Sequence, residues 1–147
     1  MNNINWDQAM QASEAEKKIT PFPKITFSNN WNGKLNCHCF STIRIANAQK
    51  YVIGNEYLIT LTKPVEIPVC DGIIASITPF RLDKLTEGMA RLDTGYGVEE
   101  CRNIMRSMYG EKAGDYMYFF IIIQSRLRFN WIELDSTKLA DRKLSGI

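Results

Sequence analysis

The stretch Gly72–Leu92, GIIASITPFRLDKLTEGMARL, changes its hydrophobic period halfway along. Its first half, Gly72–Phe80, is dense in β-branched residues and reads as a strand. In its second half Leu82, Leu85, Met89 and Leu92 recur at helical spacing, and Gly95 is placed to stop that helix. A second helix follows directly, with Val98, Cys101, Ile104, Met105 and Met108 as its apolar stripe and Tyr109-Gly110 at its end. Glu99 and Glu100 stand at its start, with Arg102 and Arg106 further on, as the helix dipole favours. Strands that follow one another, then two successive helices, argue against a doubly wound parallel sheet. They predict an α+β fold: a mostly antiparallel sheet or small barrel with helices at one end.

Working outward, Lys24–Ser28 alternates polar and apolar residues, Cys39–Ile45 reads as a strand, and the Gly54-Asn55 turn opens the strongly alternating Glu56–Leu61. Asn29–Lys34 is a polar turn around Trp31, and Pro64 and Pro68 flank a short extended piece. Tyr116–Gln124 is the most apolar strand and is expected at the sheet centre. Arg126–Leu134 reads as a further strand and Asp135–Ile147 as a polar tail. At the other end, Asn3–Ile19 carries Trp6, Ala9, Met10 and Ser13 on one side of a short helix, which Pro21 and Pro23 break off. The expected organisation is a single domain over residues 1–147, with a core at about 24–124, an N-terminal helix at about 3–19 and a C-terminal extension at about 125–147.

Charge narrows the function classes. Eighteen Lys and Arg against 16 Asp and Glu leave +2, too little for indiscriminate polyanion binding, so any such affinity needs a local patch. The balance is a cancellation: residues 31–62 hold Lys34, Arg44 and Lys50 against Glu56, while 81–100 hold five acids against Arg81, Lys84 and Arg91. A single histidine excludes a site needing two imidazoles. The longest apolar run, Tyr116–Ile123, is far short of the roughly 20 residues of a membrane span. With no basic segment followed by an apolar run at the N-terminus, and four cysteines in no dense framework, a cytoplasmic protein with reduced thiols is expected.

A family resemblance rests on the order of several short elements. These are a turn with Gly33-Lys34, then Thr42-Ile43-Arg44, then Gly54 before a strand. After them come Gly72–Thr78, Leu82-Asp83-Lys84-Leu85, Ala90-Arg91-Leu92-Asp93-Thr94-Gly95-Tyr96, Val98-Glu99-Glu100, Met108-Tyr109-Gly110 and the apolar Tyr118–Ile123. Over roughly Ile25–Gln124 this resembles the ASCH domains of the PUA-like superfamily. The resemblance implies a small, mostly antiparallel PUA-like β-barrel with two helices between the later strands, and binding of structured or modified RNA. ASCH-type amidohydrolases acting on N4-acetylcytidine use a lysine, a threonine and a glutamate. By alignment with that pattern Thr42 is kept, the lysine position is Cys39 and the glutamate position falls near Ile73.

The residues themselves point to an anion site. Thr42 and Arg44 share strand parity, while Ile43 and Ile45 take the other face and are expected inside the barrel. An arginine so placed can hold a phosphate or carboxylate, and a threonine hydroxyl adds a neutral partner. The bland alternative is an internal ion pair of Arg44 with Asp93 or Glu56. Trp31, Tyr96 and Tyr109 are loop or helix-end aromatics that can stack a base or simply plug the barrel ends. The expected ligand-binding set is therefore Trp31, Lys34, His38, Thr42, Arg44 and Tyr96. Cys37-His38-Cys39 lacks the second Cys/His pair of a zinc site, and its neighbours point to opposite faces of a strand, which suits neither a metal nor a Cys-His nucleophile. Glu66 and Asp71 form a carboxylate pair only if the sheet brings them together. No phosphate loop, nucleophile elbow or metal helix is present, so no cofactor is expected.

Three function classes follow: a module binding RNA or a nucleotide through Arg44, Lys34 and a loop aromatic; a small amidohydrolase or nuclease using Thr42 with Lys34 swung in; and an accessory interaction protein with a degenerate cleft. In the last, the contact surface is the N-terminal helix or the strand-like Leu127–Leu134 with its Phe129 and Trp131, a strand that can pair with another copy of itself to make a homodimer.

Overall fold

The structure, a computed structural model, describes residues 22–128. The expected N-terminal helix, the polar tail and most of the Leu127–Leu134 segment lie outside the described residues. Within them run five strands and two α-helices: β1 (Lys24–Phe27), β2 (Cys39–Ile45), β3 (Glu56–Leu61), β4 (Ile67–Arg81), α1 (Glu87–Thr94), α2 (Val98–Tyr109) and β5 (Met117–Arg128). All five strands form one sheet in the order β1-β3-β4-β5-β2. Three pairings are antiparallel and the β1–β3 edge pairing is parallel, so the sheet is mixed.

The sheet curls into a half-barrel, and β4 is where the curl is made. Its 15 residues pair with β5 through register shifts at Asp71/Gly72 and Ile74/Ser76, and with β3 through another at Ile59/Thr60. Each shift inserts an unpaired residue and steepens the local twist. The last of these also admits Pro68, which has no N–H to give a ladder, so the strand starts at Ile67 rather than at Gly72 as expected. A strand this long serves two cores. Val69, Cys70 and Ile74 join Ile25, Phe27, Phe40, Tyr57 and Ile59 in one, while Phe80 joins Leu82, Leu85, Ala90, Cys101 and Met105 under the helices in the other. β5 runs unbroken to Arg128 and divides its side chains between them: Ile121 and Ile123 enter the first, Tyr118 and Phe120 the second. Alternate side chains of a central strand feed opposite faces, as its uniformly apolar sequence requires.

The helix expected from Leu82 begins later. Leu82–Lys84 is a 3-10 turn, and α1 restarts at Glu87 behind Thr86, whose Oγ1 accepts from the Met89 N–H at 3.1 Å. The restart breaks the phase of the stripe, and Leu92 ends up 61% exposed. Gly95, at φ 83°, ends α1 in the left-handed conformation that a side chain disfavours. α2 is tied to α1 by the Glu87 carboxylate, which accepts from the Val98 N–H at 2.8 Å and pairs with Arg91. Those two partners hold the Glu87 carboxyl below its ordinary range.

Candidate functional site

β1 and β2 are the two ends of the strand order, and the curl brings them face to face. The guanidinium of Arg44 spans the seam: Nη2 donates to the Thr26 carbonyl at 2.6 Å and Nε to Thr42 Oγ1 at 2.8 Å. Phe27 of β1 and Phe40 of β2 meet edge to face, ring centroids 6.0 Å apart. Between this seam and α2 lies a cleft of about 150 Å³, whose lining includes Thr26, Phe27, Trp31, Lys34, Thr42, Arg44, Asp93, Met108 and Tyr109.

Lys34 reaches the cleft through an unusual turn. Within the 3-10 segment Trp31–Asn36, Asn32 and Gly33 both take positive φ, 58° and 64°, and the Leu35 N–H donates to Asn30 Oδ1 at 2.8 Å. Asparagine and glycine are the residues that tolerate this conformation, and it turns Lys34 inward. The Asn32 side chain packs where a β-carbon on Gly95 would sit, 3.2 Å from its Cγ, so this turn and the end of α1 hold each other. Lys34 is 6% exposed. Its Nζ donates to Asp93 Oδ1 at 2.8 Å, and Ser41 Oγ donates to the same oxygen at 3.1 Å. Burial pushes the Lys34 ammonium below its ordinary pKa, against the opposing pull of the Asp93 carboxylate, with the nearby Arg44 adding to the lowering. Both cations lie over the Phe27 ring, Lys34 Nζ at 5.4 Å and Arg44 Cζ at 4.8 Å from its centroid.

Of the six expected residues, the structure brings Trp31, Lys34, Thr42 and Arg44 to one cleft. His38 is exposed and outside the lining. Its role is carried by its backbone, whose carbonyl accepts from both the N–H and the hydroxyl of Ser125. Proximity in the chain to Thr42 misleads here because β2 runs away from His38. Tyr96 is exposed and also outside the lining, but its ring stands edge-on to Trp31 with centroids 6.0 Å apart and so backs the tryptophan. The expected faces of β2 are exchanged. Thr42 and Arg44 share the face of Phe40, toward the first core, whereas Ile43 packs against the second core and Ile45 is 38% exposed. A curled sheet covered by helices has two buried faces, so the aliphatic side of a strand does not identify the barrel interior.

The alternative ion pairs for Arg44 do not form. Asp93 is taken by Lys34, and Glu56 pairs with Arg126. Glu66 pairs with Lys24, not with Asp71. Asp93 is the site residue that sequence reasoning did not select. A signal for it exists: an acid in the last turn of a helix opposes the dipole, so a buried one there calls for a cation. The cysteines are dispersed, with Cys37 and Cys39 exposed and Cys70 and Cys101 buried in different cores. Burial pushes the Cys70 thiol up to about 11. Among the described residues no three His, Cys, Asp or Glu side chains gather as a metal would require, and no helix is long and apolar enough to cross a membrane.

No family model and no curated protein matches this chain. Among solved structures, the crystal structure of protein EF3133 from Enterococcus faecalis V583, described as DUF984, is similar in fold. It aligns with a TM-score of 0.55 and 9% sequence identity over 83% of this chain and 94% of that one. Likeness at that identity shows a shared α+β, barrel-like architecture and leaves the chemistry of the cleft to be argued from its own residues.

Proposed function

We propose that this chain is an ASCH-type, PUA-like binding module that recognises RNA or a nucleotide-like ligand in the cleft between β1 and β2. The observation that supports this reading is the convergence of Arg44, Thr42 and Trp31, drawn from separate elements, on one small cavity that the Lys34–Asp93 pair also lines. Its charged lining is two cations against one carboxylate, a local positive site on a chain whose total charge is only +2. The volume of about 150 Å³ is below the roughly 300–1,000 Å³ of a site that engulfs a drug-sized ligand. A cleft of this size suits one phosphate or one base of a longer partner, with the remainder outside against Trp31 and the exposed Met108. Titration with single-stranded RNA at low salt should show binding above a charge-matched control protein. Arg44→Ala should weaken that binding by about tenfold or more, as expected for loss of a charged hydrogen-bonding group, and flatten its salt dependence. Binding no better than the control would sink this reading.

A specific observation also favours an amidohydrolase reading. Cys39 stands at the family's lysine position, yet Lys34 arrives in the same cleft as Thr42 from the preceding turn, with a carboxylate, Asp93, on its ammonium. Burial that lowers the lysine pKa favours a base able to take the Thr42 proton. The threonine oxygen would then attack the acetyl carbon of an N-acetyl base, the proton taken by Lys34 would pass to the departing amine, and water would hydrolyse the acyl-threonine ester to acetate and the free hydroxyl. Acetate release from N4-acetylcytidine that disappears in Thr42→Val is the expected result. No release, or release retained in Thr42→Val, removes this reading.

A further inference from the structure

The three charged side chains of the cleft are not equivalent. Lys34 and Asp93 form a buried ion pair: the ammonium sits 2.8 Å from Oδ1, and Ser41 Oγ donates to the same carboxylate oxygen. Arg44 is held differently. Its two hydrogen-bond partners, Thr42 Oγ1 and the Thr26 carbonyl, are neutral, so its charge is not cancelled. A guanidinium has five N–H donors. Nε and Nη2 are engaged, and among the described residues Nη1 has no partner. Anchored at both ends and seated on the Phe27 ring, this guanidinium presents a fixed donor edge without paying rotamer entropy at binding.

We infer that Asp93 is a positioning residue that cancels Lys34, so that the cleft presents the single charge of Arg44 and selects a singly charged phosphodiester over a doubly charged terminal phosphate. This rests on the nucleic-acid reading of the cleft and narrows it to internal linkages of an RNA strand. The physical reason is pairing. One anionic charge meets one free cation, whereas a second anionic charge in the same confined space meets no free cation and lies near the Asp93 carboxylate. The cavity volume agrees, since a phosphate group fits within about 150 Å³ while both flanking sugars stay outside.

The test uses the full chain at low salt and about pH 7.5, above the second phosphate pKa of about 6, so that a terminal phosphate is dianionic. The probes are adenylyl-adenosine, with one diester, adenosine monophosphate, and adenosine. The native chain should bind the diester about fivefold or more tighter than the monophosphate, and Arg44→Ala should abolish the difference. Asp93→Asn removes the carboxylate that cancels Lys34 while keeping an amide oxygen for its side chain, and should shift the ratio toward the monophosphate, whose second charge holds the Lys34 proton in place of Asp93, by about tenfold. The double variant Lys34→Met, Asp93→Leu removes both members of the cancelled pair and should keep the diester preference. Should Asp93→Asn fail to fold, the double variant decides. Equal or tighter binding of the monophosphate by the native chain, an unchanged ratio in Asp93→Asn, or a lost preference in the double variant would overturn the inference while leaving RNA binding intact. If neither these probes nor single-stranded RNA binds above the control protein, the binding function itself fails and the inference falls with it.

Discussion

Lys34→Met is expected to destabilise the folded chain by about 3–5 kcal/mol, read as a fall in the urea midpoint at unchanged slope. The side chains of Lys34 and Asp93 are 7% and 12% exposed, and removal of the ammonium leaves the carboxylate with only the Ser41 hydroxyl. An uncompensated charge at that depth costs far more than the pair contributes, because desolvation of both ions has already offset most of their attraction. The double variant Lys34→Met, Asp93→Leu should therefore recover most of the loss. It fills the same space with apolar groups and leaves Ser41 as the one polar group to be rehydrated or re-paired. The pH dependence supplies an independent check. Burial holds the Lys34 pKa below its ordinary 10.5. Between that lowered value and 10.5 the unfolded chain keeps a proton that the folded chain has released, so the Lys34 contribution to stability rises with pH there. That rise should be missing from Lys34→Met when its alkaline profile is subtracted from that of the native chain. A single variant within about 0.5 kcal/mol of native would show that water or another group replaces the ammonium.

The parts of this fold that were readable from sequence are those governed by a local period and closed by local punctuation. β2 at Cys39–Ile45, β3 at Glu56–Leu61 and α2 at Val98–Tyr109 fall where alternation, the helical stripe and Gly54 or Gly110 placed them. The readings that failed depended on something the local pattern does not carry. Leu82 to Leu92 reads as one stripe, but Thr86 caps a new helix and breaks its phase. β4 reads as starting after the prolines, but a bulge makes room for Pro68. The site divides the same way. Thr42 and Arg44 are two residues apart on a strand, and their side chains touch. Lys34 and Asp93 are 59 residues apart, and tertiary packing joins them: the Asn32-Gly33 turn on Gly95, Trp31 against Tyr96, and Ser41 on Asp93. His38 is the converse case: it is close in sequence to the cleft and excluded from it by the direction of β2.

Gly72→Ala is expected to cost about 1–3 kcal/mol, although the added methyl is the smallest side chain available. Gly72 pairs with Tyr57 on one side and Ser125 on the other, at the register shift that bends β4. A β-carbon there would lie 2.6 Å from Ile123 Cγ2 and 3.3 Å from Ile59 Cγ1. Both isoleucines are fully buried among ordered neighbours, so neither can swing away, and the overlap must be relieved by shifting β5 against β4. Because β4 also carries Phe80 into the second core, such a shift is felt under the helices that wall the cleft. The cause can be isolated by a double-mutant cycle. Ile123→Leu removes the branch methyl that collides while keeping the volume, and should cost less than about 1.5 kcal/mol alone. Combined with Gly72→Ala, the total should fall clearly below the sum of the single losses. Additive losses would place the cost in the backbone rather than in the Ile123 contact. Gly88, in the exposed first turn of α1 with nothing nearer than 3.9 Å to an added β-carbon, supplies the opposite sign: Gly88→Ala should stabilise by about 0.5–1 kcal/mol. The two glycines differ in the same urea measurement because the bulge at Gly72, unlike the open helix turn, is where the sheet is bent tightly enough to bring its edge strands together around Arg44.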